Sequence, residues 1–225
     1  MSRNDTLPAY PHAVSLVSRA VMSSICRVRT EGLDRPVPNG PLIVVSNHLS
    51  DTDPPLLWGW LAPAIGRPFR FLAKDSLLHG PVGAAMRSFG AIPVRHDGAD
   101  ASALRMALAS LAAGDSLLLA PEGTRSRDGR MGRPRPGSAL LAIRSGATML
   151  PVGISGTDRL LARGRRLPRV GTFVTLRMGA PFRLSRQEGA ERRTALAAAE
   201  EQIMRRIATL VDPRHRGEWE PWSDA

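Results

Sequence analysis

Five short apolar runs, each closed by a polar or glycine-bearing exit, set what this chain can fold into. They are Leu42–Val45, Phe69–Ala73, Ala91–Val94, Ser116–Ala120 and Thr148–Val152. Apolar runs this short, bounded by turn residues, read as strands buried on both faces. The segments between them have helical length and composition: Asp53 to Ala64, Pro81 to Ser88, Ala99 to Ala112 and Ser138 to Ser145. Strands alternating with helices predict an α/β fold, a mostly parallel central sheet flanked by helices. Such a sheet gathers its strand exits on one edge, where folds of this class expose functional groups.

Further elements extend the pattern. Cys26 to Glu31 reads as a short edge strand, Thr172 to Met178 as a late strand, and Glu188 to Leu210 as a long helix with a charged face. Residues 121–136 and 156–171 carry glycine, proline and many arginines and read as loops. In a chain of 225 residues this predicts one domain over 13–210, a flexible lead-in over 1–12 and a loose tail over 211–225. Pro11 to Arg27 holds Val14, Leu16, Val17, Val21 and Ile25. It reads either as an amphipathic anchor lying on a bilayer or as an ordinary helix packed on the domain. No stretch reaches the roughly 18 apolar residues of a membrane-spanning helix. Pro54 to Gly66 is apolar but too short and too rich in proline. The expected location is the cytoplasm, in peripheral contact with the inner face of the cell membrane.

Composition removes several function classes. The single cysteine, Cys26, excludes an internal disulfide, a four-cysteine zinc site and a cluster held by the chain's own thiolates. Lys and Arg number 31 against 20 Asp and Glu, a net charge of +11 that favours an anionic partner. Aromatics make up only 4%, too few for a base-stacking surface, and no helix-turn-helix or zinc-finger spacing stands out, so nucleic acid is not expected. Lys74 is the sole lysine; the other basic residues are arginines, which makes any one arginine less informative.

Four segments follow predicted strands and carry chemistry. In Val45-Ser46-Asn47-His48-Leu49-Ser50-Asp51-Thr52-Asp53, His48 can take a proton from a hydroxyl near neutral pH. Asp53 can meet its far ring nitrogen if the chain turns at once after His48. No Gly-x-Ser-x-Gly lies nearby, so the activated hydroxyl belongs to a substrate rather than to the chain. The same residues also read as a helix start, with Ser50 or Asp53 as cap and Pro54 in the first turn. A metal held by His48, Asp51 and Asp53 lacks a second histidine. In Ala120-Pro121-Glu122-Gly123-Thr124-Arg125-Ser126, Gly123 allows close backbone approach and Arg125 can fork onto phosphate oxygens. Lys74 and Arg95 stand at two further strand exits, where each can meet a phosphate or simply solvate the surface.

Together these segments resemble the glycerolipid acyltransferases, the bacterial 1-acylglycerol-3-phosphate acyltransferases above all. Asn47-His48-Leu49-Ser50-Asp51-Thr52-Asp53 matches the family's Asn-His-x-Ser-x-x-Asp block, and Gly90 to Arg95 its second block. Glu122-Gly123-Thr124-Arg125-Ser126 matches the third without substitution, and Leu150-Pro151-Val152 the fourth. The resemblance covers roughly residues 25 to 180. It implies an acyltransferase in which His48 is the general base and Asp53 its partner. Lys74 and Arg95 would bind the phosphate of the acceptor, Glu122, Gly123, Thr124 and Arg125 would shape the acceptor site, and Pro151 would lie near the acyl chain or the thioester. The implied acceptor is lysophosphatidic acid and the product phosphatidic acid. The donor substrate is acyl-CoA or acyl-carrier protein, with no metal or other cofactor.

The same resemblance admits another lysophospholipid, an amino-acid lipid or a glycolipid as acceptor. The sequence departs from many relatives at Lys74-Asp75-Ser76-Leu77, where a serine stands in place of the usual glutamate. The apolar residues Leu56, Leu57, Trp58, Trp60 and Leu61 read either as a groove for an acyl chain or lipid, or as the core face of a helix. A His–Asp pair can also activate water, which keeps a hydrolase in view.

Overall fold

A computed structural model describes residues 7, 9–94, 101–184 and 192–222. The chain runs α1 (Ala9–Ile25), β1 (Cys26–Glu31), β2 (Leu42–Ser46), α2 (Asp53–Ile65), β3 (Phe69–Lys74), α3 (Gly80–Ser88) and β4 (Ala91–Val94). It continues α4 (Ala101–Ala112), β5 (Ser116–Leu119), α5 (Gly137–Ser145), β6 (Thr148–Ser155), α6 (Thr157–Leu160), β7 (Thr172–Met178) and α7 (Arg192–Ala208). The seven strands form one sheet in the order β1-β7-β6-β2-β5-β3-β4. Every neighbouring pair is parallel except β6 and β7. Five strands, β4-β3-β5-β2-β6, therefore end on one edge, and β7 and β1 start from that edge.

Every residue of the central strand β2 is buried. Its alternation divides the core into two layers, as a period of two dictates. Ile43 and Val45 pack with Leu117, Leu119 and Met149 beneath α4, α5 and α7, where Leu111, Leu141, Ile203 and Ile207 close the layer. Leu42 and Val44 face the other way, with Leu118, Leu150, Met22, Leu56, Leu57 and Leu61 under α1 and α2. Leu56, Leu57, Trp58 and Leu61 thus form a core face, while Trp60 is half-buried under the guanidinium of Arg19, 5.4 Å from its ring.

Helix α1 is built inside out. The side it buries carries Ser15, Ser18 and Met22, while Tyr10, Leu16, Val17 and Val21 are more than half exposed. Small residues allow this. A Cβ placed on Gly59 of α2 would sit 3.1 Å from the backbone nitrogen of Arg19, so the two helices approach nearly backbone to backbone.

Two differences from the expected elements have clear causes. Strand β6 runs to Ser155, past the expected Val152, because its last residues pair antiparallel with β7. Gly153 does not break it; the missing side chain leaves room for the carbonyl of Leu210, 2.4 Å from where a Cβ would stand. Residues 211–222, expected as a loose tail, are tied to the domain. Val211 and His215 are buried, the His215 carbonyl accepts from Met131 N–H (2.7 Å), and Trp219 Nε1–H donates to Gly132 (3.0 Å). Arg214 clamps Asp158 with two bonds of 2.9 and 3.1 Å.

Candidate active site

Strand β2 delivers the site. At its exit the buried Asn47 continues the sheet with its side chain: Nδ2–H donates to the Ile154 carbonyl and Oδ1 accepts from Ile154 N–H, both at 2.8 Å. His48 follows, and the chain turns so that Asp53 begins α2 behind it. Pro54 and Pro55 start that helix without needing N–H partners. Asp53 Oδ2 accepts from Leu49 N–H (2.7 Å) and Ser50 N–H (2.8 Å) and lies 2.8 Å from His48 Nδ1. An oxygen already accepting from two N–H groups fixes Nδ1 as the protonated nitrogen. The lone pair is then on Nε2. The Asp53 side chain is 3% exposed and that of His48 27%, so the carboxylate is enclosed while the ring reaches solvent. The helix-cap reading is not realised, because Thr52 holds the cap position and makes no side-chain cap bond. Asp53, the first helical residue, uses one oxygen both to hold the preceding turn and to meet the ring.

The turn after β5 is bound directly to this segment. Ser126 N–H donates to the His48 carbonyl (2.8 Å), and Glu122 Oε1 accepts from His48 N–H (3.4 Å). Glu122 is buried, and its other oxygen accepts from Gly132 N–H (2.8 Å). Burial pushes its carboxyl above the usual range, against the opposing pull of those two N–H groups and His48. Gly123 holds φ at +66°, a left-handed conformation that lets the turn fold back on His48. Thr124 is exposed, and the guanidinium of Arg125 is ion-paired with Asp51 of the histidine segment.

The remaining expected residues fall as follows. Lys74 ends β3 on the same sheet edge, two strands from β2, or about 10 Å at ordinary strand spacing. Arg95 lies outside the described residues; the residue before it, Val94, pairs with Lys74. Pro151 is buried within β6 in register with Val45, three residues before His48. Among the described residues no three His, Cys, Asp or Glu side chains gather as a metal site. Sequence reasoning passed over Asn47 as an individual, and weighed Ser50 only as a helix cap and Asp51 only as a metal ligand. Asn47 and Ser50 tether the segment, Ser50 Oγ–H to the Leu161 carbonyl (2.9 Å), and Asp51 balances Arg125. Their signal was membership of the matched block itself.

The mixed α/β sheet thus places a histidine–carboxylate pair at a central strand exit, buttressed by a glutamate-bearing turn. The chain belongs to the Acyltransferase family, whose pattern matches residues 27–155, more than half its length. It is similar to the chloroplastic 1-acyl-sn-glycerol-3-phosphate acyltransferase LPAT1 of Arabidopsis thaliana, 30% identical over 142 residues, 61% of this chain and 38% of that one. The 1-acyl-sn-glycerol-3-phosphate acyltransferase of Borreliella burgdorferi is 27% identical over 172 residues, covering 75% of this chain and 67% of its own. The chain spans about two fifths of the length of its chloroplastic relatives. The crystal structure of the 1-acyl-sn-glycerophosphate (LPA) acyltransferase PlsC from Thermotoga maritima superposes with a TM-score of 0.70 at 27% identity, over 89% of this chain and 79% of that one.

Proposed function

We propose that this chain moves a fatty acyl group from an acyl thioester to the free hydroxyl of lysophosphatidic acid, giving phosphatidic acid. The observation that carries this reading is the 2.8 Å contact between His48 Nδ1 and an enclosed Asp53, on a ring that reaches solvent. His48 Nε2 takes the proton of the acceptor hydroxyl as its oxygen bonds to the thioester carbonyl carbon. Asp53 stabilises the imidazolium that forms. The tetrahedral adduct collapses with cleavage of the carbon–sulfur bond, and the imidazolium returns its proton to the departing thiolate of coenzyme A or the carrier protein. The ester and the free thiol are the products, and no acyl-enzyme is needed.

Lys74, Arg95 and Arg125 are assigned to the acceptor phosphate. Clamping the phosphate holds the hydroxyl against His48 and favours it over water. Glu122, Gly123 and Thr124 shape that site, and Pro151, in register with Val45, is assigned to the acyl chain or the thioester approach. One observation favours a second acceptor class: Arg125 already has a counter-ion in Asp51, so it is not a vacant phosphate site. A glycolipid or amino-acid lipid acceptor is the alternative on that ground.

Among the described residues no helix is long and apolar enough to cross a membrane. The outward stripe Tyr10, Leu16, Val17 and Val21 of α1 supports peripheral attachment to a membrane; the cytoplasmic side is part of the proposal. The deciding experiment pairs purified protein and labelled acyl-CoA or acyl-carrier protein with acceptors that do and do not carry a phosphate. Labelled phosphatidic acid as the main product supports the proposal. Indifference to the phosphate overturns the acceptor, and labelled free acid in the presence of lysophosphatidic acid overturns transfer in favour of hydrolysis.

A further inference from the structure

Leu167, Val170 and Phe173 are 79%, 68% and 69% exposed, more than any other large apolar side chain among the described residues. They lie within seven positions of one another, with the exposed Arg169 among them and the exposed Arg163, Arg165 and Arg166 just before. No acidic residue occurs between Asp158 and Glu188, so the positive charge of the segment has no local balance in sequence. Single exposed apolar residues are ordinary; a cluster of them rimmed by one sign of charge is not.

The segment is well tied. Arg169 N–H donates to the Leu160 carbonyl (2.7 Å), Thr172 Oγ1–H to the Arg169 carbonyl (2.6 Å), and Gly171 N–H to the Ile25 carbonyl (2.9 Å). Arg27, opposite Phe173 in the sheet register, holds its guanidinium 5.3 Å from the Phe173 ring. These side chains therefore stand out from a fixed base rather than dangling.

Placement gives the cluster its meaning. Strand β7 runs antiparallel to β6, so the 161–171 segment emerges on the edge that carries His48. Its first residue, Leu161, receives the hydroxyl of Ser50 from the histidine segment itself. Its last, Gly171, is bonded to Ile25 at the end of α1, the helix whose apolar stripe faces outward. The loop is thus bonded to the histidine segment at one end and to the end of α1 at the other, with Phe173, out of phase with the buried Val174, on the sheet face opposite α1.

We infer that Leu167, Val170 and Phe173 form a second membrane contact that inserts among the headgroups of an anionic bilayer, with the surrounding arginines binding lipid phosphates. This rests on the reading that α1 attaches the chain to a membrane, and extends it to a surface that sets orientation. One helix leaves the chain free to roll about its axis; a second contact at the catalytic edge holds His48 toward the lipid. Arginine suits the rim, since its stem packs on apolar surface while its head stays with phosphate. The large apolar side chains exposed among the arginines favour a bilayer over an acidic carrier protein.

The test is sedimentation of the full chain with vesicles of phosphatidylcholine, alone or with about 30 mol% phosphatidylglycerol. The chain should bind the anionic vesicles at least about tenfold more tightly. L167S/V170S/F173S should lose about tenfold or more of that affinity with an unchanged melting temperature. R163Q/R165Q/R166Q/R169Q should remove the preference for phosphatidylglycerol. Loop variants that sediment like the parent overturn the inference. If L16S/V17S/V21S alone then releases the chain, attachment through α1 still stands. Failure of the parent chain to bind either vesicle overturns both. Loop variants that bind vesicles normally but raise KM for acyl-carrier protein, and not for acyl-CoA, overturn the inference in favour of the carrier.

Discussion

Replacing Asp53 by asparagine separates charge from geometry at this site. All three hydrogen bonds to Asp53 converge on Oδ2, and Oδ1 is buried without a partner among the described residues. An asparagine can therefore set its carbonyl oxygen in the Oδ2 position and keep the Leu49 and Ser50 N–H bonds and the Nδ1–H tautomer. Its amide falls where Oδ1 stood, buried and unpaired, at a stability cost of about 1–3 kcal/mol. What is lost in catalysis is the negative charge beside the imidazolium. Two unit charges 2.8 Å apart at an effective dielectric of about 20 interact by about 6 kcal/mol. A charge-assisted hydrogen bond sets a lower figure of about 3 kcal/mol. At 1.36 kcal/mol per tenfold, kcat/KM for transfer should fall by about 10² to 10⁴. The assay is steady-state release of free thiol from acyl-CoA with saturating lysophosphatidic acid, beside a thermal melt. A folded D53N enzyme within tenfold of the parent would refute the reasoning.

Other perturbations follow from neighbouring contacts. Asp51→Asn frees Arg125 from its counter-ion. That pair is one-third to two-thirds exposed and worth at most about 1 kcal/mol, so KM for phosphate-bearing acceptors should fall about two- to fivefold and that for phosphate-free ones should not change. Gly123→Ala forces an L residue to φ +66° against the Arg135 side chain, costing about 1–2 kcal/mol, or about 2–8 °C in Tm. Glu122→Gln tests a pH dependence. Burial raises the folded pKa, so the contribution of the protonated carboxyl is complete below the unfolded value and lost as pH climbs through the raised one. Urea midpoints should thus shift in favour of E122Q as pH rises above the ordinary glutamate range; a constant difference would contradict that sign.

The strands and the dyad were legible because both follow from local pattern. A run such as Leu42–Val45 has few options but a buried strand, and a histidine followed five residues later by the first residue of a helix has one compact closure. The match of β1 and β7 to their expected bounds has the same origin. Reading failed where polar surface is buried or apolar surface is not. Helix α1 hides serines because Gly59 admits its backbone, so hydrophobic periodicity alone left both the anchor and the packed reading open. The 211–222 segment looks solvated because its charges are many, yet Asp212 and Arg214 are satisfied by Arg177 and Asp158. Those partners are distant in sequence and leave no periodic trace. Pairing between Arg125 and Asp51 was hidden in the same way: it joins two motifs that sequence presents as separate.

The central claim is that the His48 side chain carries the proton in acyl transfer. Its backbone N–H and carbonyl make the structural bonds to Glu122 and Ser126, and among the described residues its ring makes one bond, to Asp53. Alanine keeps the backbone bonds, so His48→Ala should fold with a melting temperature close to the parent's. Turnover of acyl-CoA with lysophosphatidic acid should drop by about 10³-fold. A folded H48A enzyme that still forms phosphatidic acid within tenfold of the parent rate would contradict the account.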